Sequence, residues 1–137
     1  MKIEWVSYFF FFIAALVHIY IFILESFLFQ KPAGNIIFEI RKEDHEATKP
    51  WAFNQGFYNL FLAVGMLIGL YHVNQLEIKV AGVMVSFSGF CMITAGVVLF
   101  LSNKKMRKGA YFQIIPPVLG FFFLAFHIIE KIQAVGQ

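Results

Sequence analysis

Charge is what this sequence has least of. Only 14% of its 137 residues are Asp, Glu, Lys or Arg, against about a quarter in an average soluble domain. The net balance of +3 is too slight for a nucleic-acid footprint, and no aromatic interleaving accompanies the basic stretches. Lysines and arginines placed between apolar runs suit anionic lipid headgroups better. Cysteine is nearly missing as well: Cys91 stands alone, which excludes an internal disulfide and any multi-cysteine metal site. It reads as a small apolar filler. Nowhere is there a Ser/His/Asp set, a phosphate-cradling glycine loop or a nucleotide fingerprint. Nothing in the chain calls for a cofactor.

What is present is apolar surface in excess. Hydrophobic residues make up 60% of the chain and aromatics 19%, with a mean hydropathy of +0.74. The nineteen phenylalanines cannot all be buried inside so small a protein, so lipid must cover many of them. Four runs, about 5–29, 51–72, 80–101 and 111–130, are each long enough to cross a hydrocarbon core of roughly 30 Å. Trp5, Tyr8 and Trp51 suit the membrane interface. The first run is about twice a signal h-region and no small-residue cleavage site follows it, so it reads as a retained span. The expectation is a single transmembrane domain over 1–137: all-α, an integral membrane four-helix bundle.

Proline and glycine punctuate it. Lys31-Pro32-Ala33-Gly34-Asn35 reads as a helix-breaking turn. Ile36, Ile37, Phe38 and Ile40, followed by Arg41 and Lys42, form a short amphipathic surface segment. Glu43-Asp44-His45-Glu46 reads as a solvated charged face. Span two is expected to start after Pro50, a helix-start position. Gly65 and Gly69 form a GxxxG pair, and Gly82, Ser86, Gly89 and Gly96 a small-residue stripe along span three. Both let helices approach closely, and a homodimer through either is a candidate assembly. Pro116-Pro117 removes two amide donors, so span four is either kinked there or starts at Pro116.

Four spans put both termini on one side. The loops between spans one and two and between spans three and four carry eight Lys and Arg, the opposite side three. That excess places loops 30–50 and 102–110 in the cytoplasm and both termini on the outer side of a cytoplasmic (inner) membrane.

This topology gathers the scattered polar residues into a layer. His18 and Glu25 lie seven apart in span one, on nearly one face and roughly 10 Å apart along the axis. Asn54, Gln55, Tyr58 and Asn59 occupy the first two turns of span two, where Gln55, Tyr58 and Asn59 share a face by i, i+3 and i+4 spacing. Gln113 enters span four at the same level. A charge at the bilayer centre costs at least roughly 2.5–3.5 kcal/mol on insertion scales, so these groups should turn inward. They then either clasp the helices together or bound a pocket for a small, mostly apolar molecule. The residues expected to line that pocket are His18, Glu25, Asn54, Gln55, Tyr58, Asn59 and Gln113. Glu25 and His18 are the candidates for acid–base chemistry on such a molecule. They also supply the relay for the alternative reading, a small transporter or proton-coupled carrier. A third reading is a non-catalytic interaction protein whose polar layer is only a clasp. His72, His127 and Glu130 at the outer end form at most a weak metal-binding set, and no metal is expected.

At these residues the chain resembles the small bacterial membrane proteins grouped as domain of unknown function 1304, which have four spans. The resemblance rests on His18-Ile19-Tyr20-Ile21 with Leu24-Glu25 and Phe27 in span one. It continues through Glu46-Ala47-Thr48-Lys49 into Asn54-Gln55-Gly56-Phe57-Tyr58-Asn59-Leu60-Phe61-Leu62-Ala63, and ends on Gln113 with Pro116. Ile114 and Pro117 depart from the glycine and alanine usual in that family. The resemblance implies the fold and the weight of these positions, and it implies no activity.

Overall fold

A computed structural model describes residues 3–38, 41–75 and 77–135. Its elements are α1 (Ile3–Ser26), the short α2 (Pro32–Phe38), α3 (His45–Asn74), α4 (Ile78–Ser102) and α5 (Arg107–Val135). Single 3-10 turns at Lys42–Asp44 and Lys104–Met106 lead into α3 and α5. Among the described residues there is no strand. The four long helices are each long and apolar enough to cross a membrane, and the chain is a multi-pass membrane protein.

The helices form an antiparallel ring in which α1 packs on α3 and α5, and α4 packs on the other sides of both. At the α1–α5 seam Ser7 Oγ donates to Gly120 O at 2.8 Å. Further towards the chain ends, His127 Nε2 lies 3.2 Å from the Glu4 carboxylate. Between α3 and α4 the GxxxG pair is used internally. A Cβ at Gly65 would lie 2.6 Å from Ser88 Oγ, and one at Gly69 would lie 2.7 Å from Val85 Cγ2 and 3.0 Å from its backbone nitrogen. Gly65 and Gly69 are therefore buried within one chain and cannot also be a dimer seam. Half of the small stripe of α4 is spent similarly, Gly89 abutting Phe121 and Gly96 abutting Gln113 and Ile114, while Gly82 is exposed with open space around it.

The core towards the terminal end of the bundle is apolar, made of Phe11, Ala14, Ala15, Ala63, Met66, Val85 and Met92. Of the nineteen phenylalanines only Phe11 and Phe29 are buried. The rest lie partly or fully on the surface, where lipid replaces protein as their solvent.

Three boundaries fall elsewhere than the prolines indicate. Pro32 to Asn35 open α2, with proline in its favoured position at a helix start. α3 begins at His45, five residues before Pro50, and Thr48 Oγ1 donates to Asp44 O at 2.7 Å in its first turn. α5 runs unbroken from Arg107 through Pro116 and Pro117, so span four does not start at Pro116. Both prolines are buried against neighbouring helices, whose packing sustains a helix that has lost two of its own bonds. Ile40 of the expected surface segment and Lys2 lie outside the described residues.

Candidate functional site

Glu25 occupies the last turn of α1, and α3 is held tightly against it. A Cβ on Gly56 would lie 3.1 Å from Phe22 O and 3.2 Å from Glu25 Cβ, so only glycine lets the two helices meet here. Ser26 Oγ donates to Phe53 O at 3.2 Å across the same seam. One turn deeper, buried Asn59 donates through Nδ2 to Glu25 Oε2 at 2.8 Å and to its own helix at Gln55 O, 3.2 Å. A polar clasp between α1 and α3 is thus a feature of the structure.

The rest of the amide cluster turns away from it. Asn54, Gln55 and Tyr58 are exposed, Tyr58 at 53%. Successive residues step 100° around a helix, and the seam passes through Gly56 and Asn59. Gln55 and Tyr58 fall to one side of it and Asn54 outside it, on the outer surface of α3 near Trp51. The shared inward face expected for Gln55, Tyr58 and Asn59 is therefore narrower than their spacing allowed.

On its other side Glu25 borders a cavity of about 690 Å³ between α1, α4 and α5. Val17, Ile21, Leu24, Leu99 and Phe112 wall it, with Ile37 and Phe38 of α2 at its loop end. Its polar lining is Tyr20, Glu25 and Gln113, with Asn103 and Lys108 nearer the loops. Asn103 Oδ1 is already engaged, accepting from Lys105 N at 3.1 Å. A smaller recess of about 500 Å³ lies between the end of α1 and the start of α3 and also borders Glu25, with Gln30, Lys31 and Lys49 around it. The α1–α3 link above it is tied by Gln30 Nε2, which donates to Glu46 Oε1 at 2.8 Å.

His18 is fully buried on the inward face of α1 and does not line the cavity. Its Nδ1 lies 3.0 Å from Ala14 O. A carbonyl can only accept, so Nδ1 carries the hydrogen and Nε2 is left as a lone pair. Among the described residues Nε2 has no hydrogen-bond partner. Two helical turns, about 10 Å, separate it from Glu25 along α1.

The titratable residues towards the terminal end of the bundle do not converge. His72 Nδ1 pairs with Glu77 at 2.5 Å, His127 pairs with Glu4, and Glu130 is exposed. No group of three or more His, Cys, Asp or Glu side chains that could hold a metal exists among the described residues. Near the loops, Arg41 pairs with Asp44 at 2.9 Å and with Glu43 at 3.5 Å on the exposed charged face.

Sequence reasoning passed over Gly56 as a seam, Ser26, and the loop-side pair Asn103 and Lys108. Gly56 was the legible one. Gly56, Asn59, Ala63 and Met66 repeat at steps of three and four, and all four are buried.

Fold and site together define a small antiparallel four-helix membrane bundle with a carboxylate–amide pair at its loop end. The chain belongs to the family described as a protein of unknown function (DUF1304), whose model matches residues 12–125. No curated protein matches it, and no solved structure does.

Proposed function

We propose that the chain is a binding protein for a small, mostly apolar molecule that enters the α1–α4–α5 cavity from the bilayer. The observation that carries this reading is the position of Glu25. Asn59 holds one of its oxygens from α3, while the side chain borders a void of about 690 Å³ walled by aliphatic and aromatic groups. A largely apolar cavity of 300–1,000 Å³ with a few polar groups is the usual form of a small-molecule site. Gln113 supplies a second polar contact from α5. Asn54, Gln55 and Tyr58 stand outside the cavity, exposed on α3. The proposal is for binding and not for conversion, because Glu25 and His18 are too far apart to exchange a proton directly.

The transporter alternative draws no support. Beyond His18 the core is Phe11, Ala14, Ala15, Ala63 and Met66, and the buried polar side chains there among the described residues are two serines, Ser7, which is bonded to Gly120 O, and Ser88. The clasp alternative does have a specific observation in its favour, the Asn59–Glu25 bond itself. For orientation we propose a cytoplasmic membrane with the loops after α1 and α4 inside, on the strength of eight Lys and Arg at that end against three at the other.

Glu25→Gln separates binding from clasp. The variant keeps an acceptor for Asn59 and loses the charge beside the cavity. Binding predicts normal folding and thermal stability in mild detergent, with loss of the small molecule that wild type retains by mass spectrometry. A misfolded variant with nothing bound to wild type would leave the clasp as the role of Glu25.

A further inference from the structure

The recess of about 500 Å³ between the end of α1 and the start of α3 shares only Glu25 with the larger cavity. Its cations are Lys31, in the link after α1, and Lys49, in the second turn of α3. Both are exposed, and neither side chain makes a hydrogen bond or an ion pair among the described residues. The nearby acids are engaged elsewhere. Glu46 accepts from Gln30, Glu43 and Asp44 pair with Arg41, and one oxygen of Glu25 is held by Asn59. Two ammonium groups against the one carboxylate of the lining leave the recess net positive.

An apolar lane runs away from these cations along the span. Phe27 and Phe53 belong to the wall of the recess. From Phe53 the rings continue along α3 to Phe57, 5.1 Å between centroids, and on to Phe61 at 6.3 Å, with Phe22 of α1 against Phe57 at 5.1 Å. Steps of four keep Phe53, Phe57 and Phe61 on one face of the helix. Phe27, Phe53 and Phe61 are exposed. Trp51, also exposed and two residues from Lys49, suits the membrane interface, which puts the lysines at headgroup depth. Unpaired cations at that depth, with an aromatic lane leading into the hydrocarbon, complement the two halves of an acidic lipid.

We propose that this recess binds one anionic phospholipid, its phosphate between the ammonium groups of Lys31 and Lys49 and an acyl chain along Phe53, Phe57 and Phe61. The site is separate from the α1–α4–α5 cavity and does not rest on the binding reading above. A zwitterionic lipid fits it less well, because its own ammonium would meet two others.

The full chain in neutral maltoside micelles, given dioleoyl phosphatidylglycerol, phosphatidylethanolamine and phosphatidylcholine in equal amounts and read by native mass spectrometry, tests this. Phosphatidylglycerol should be retained about tenfold or more over the other two, the scale of two lysines at an anionic headgroup. Lys31→Gln/Lys49→Gln should abolish that preference, and Lys31→Arg/Lys49→Arg should keep it. Lys104→Gln/Lys105→Gln removes as much charge from the loop after α4 and should also keep it. Should the first glutamine pair fail to fold, the single variants Lys31→Gln and Lys49→Gln decide, each expected to lower the preference about threefold. No loss in either would overturn the proposal. Equal retention of the three lipids by wild type would overturn it as well. An equal fall in both glutamine pairs would overturn it in favour of diffuse attraction to basic loops. Displacement of phosphatidylglycerol by millimolar inorganic phosphate at constant ionic strength would overturn the lipid in favour of a small free anion.

Discussion

Asn59 and Tyr58 are adjacent in sequence and opposite in consequence. Asn59 is 6% exposed and bonded to Glu25, whereas Tyr58 is 53% exposed on the outer face of α3. Removing the Asn59 amide takes away an interhelical bond of about 0.6 kcal/mol on average in membranes and leaves a half-buried carboxylate short of a donor, worth about 1–3 kcal/mol more. Asn59→Ala should therefore destabilise the bundle by roughly 1–3 kcal/mol, and Tyr58→Phe and Asn54→Ala by no more than about 0.5 kcal/mol. Reversible unfolding in mixed micelles measures all three. Equal losses at positions 58 and 59 would mean that the inward face of α3 is wrongly assigned. The polar sector was legible in the sequence, but its inward edge was not. Spacing of i, i+3 and i+4 admits several side chains to a face, and only the helix seam, marked by Gly56, decides which one meets the neighbour.

At the scale of the element, the four spans were legible because twenty apolar residues in a row have one physical home. Where each helix begins was less so. Pro50 and Pro116-Pro117 look like boundaries by local chemistry, yet α3 and α5 run through them. Tertiary packing outweighs the two or three bonds lost, a balance that no local rule sees. Glycine was legible in part: Gly65 and Gly69 signal close approach, but the sequence does not say to which helix. The structure gives α4 of the same chain, with Ser88 and Val85 filling the space a side chain would need. Gly69→Leu should accordingly cost roughly 1–3 kcal/mol or more of stability, the range for overpacking a tight interface. Chemical unfolding reads this cost, while the oligomeric state on size exclusion should not respond. A change in oligomeric state at unchanged stability would contradict the internal seam.

At the scale of the whole molecule, the ring of α1, α3, α4 and α5 divides into two unlike ends. The terminal end is closed by small apolar side chains around Phe11 and Met66. The loop end holds the cavity between α1, α4 and α5, and α2 lies beside it through Ile37 and Phe38. Composition foretold the lipid-facing surface, since so many phenylalanines have no interior to enter. The void was beyond the sequence, because a cavity is what several helices jointly fail to fill. Binding in that void is the central claim, and Gln113 is its cleanest probe, for Gln113 borders the cavity and makes no interhelical side-chain hydrogen bond among the described residues. The direct measurement is mass spectrometry of small molecules that co-purify with wild type and with Gln113→Leu after extraction in mild detergent. The account predicts an apolar molecule enriched on wild type and reduced about tenfold on the variant, the scale of one buried hydrogen bond to a ligand, at equal thermal stability. The same bilayer lipids in the same proportions on both proteins would contradict it.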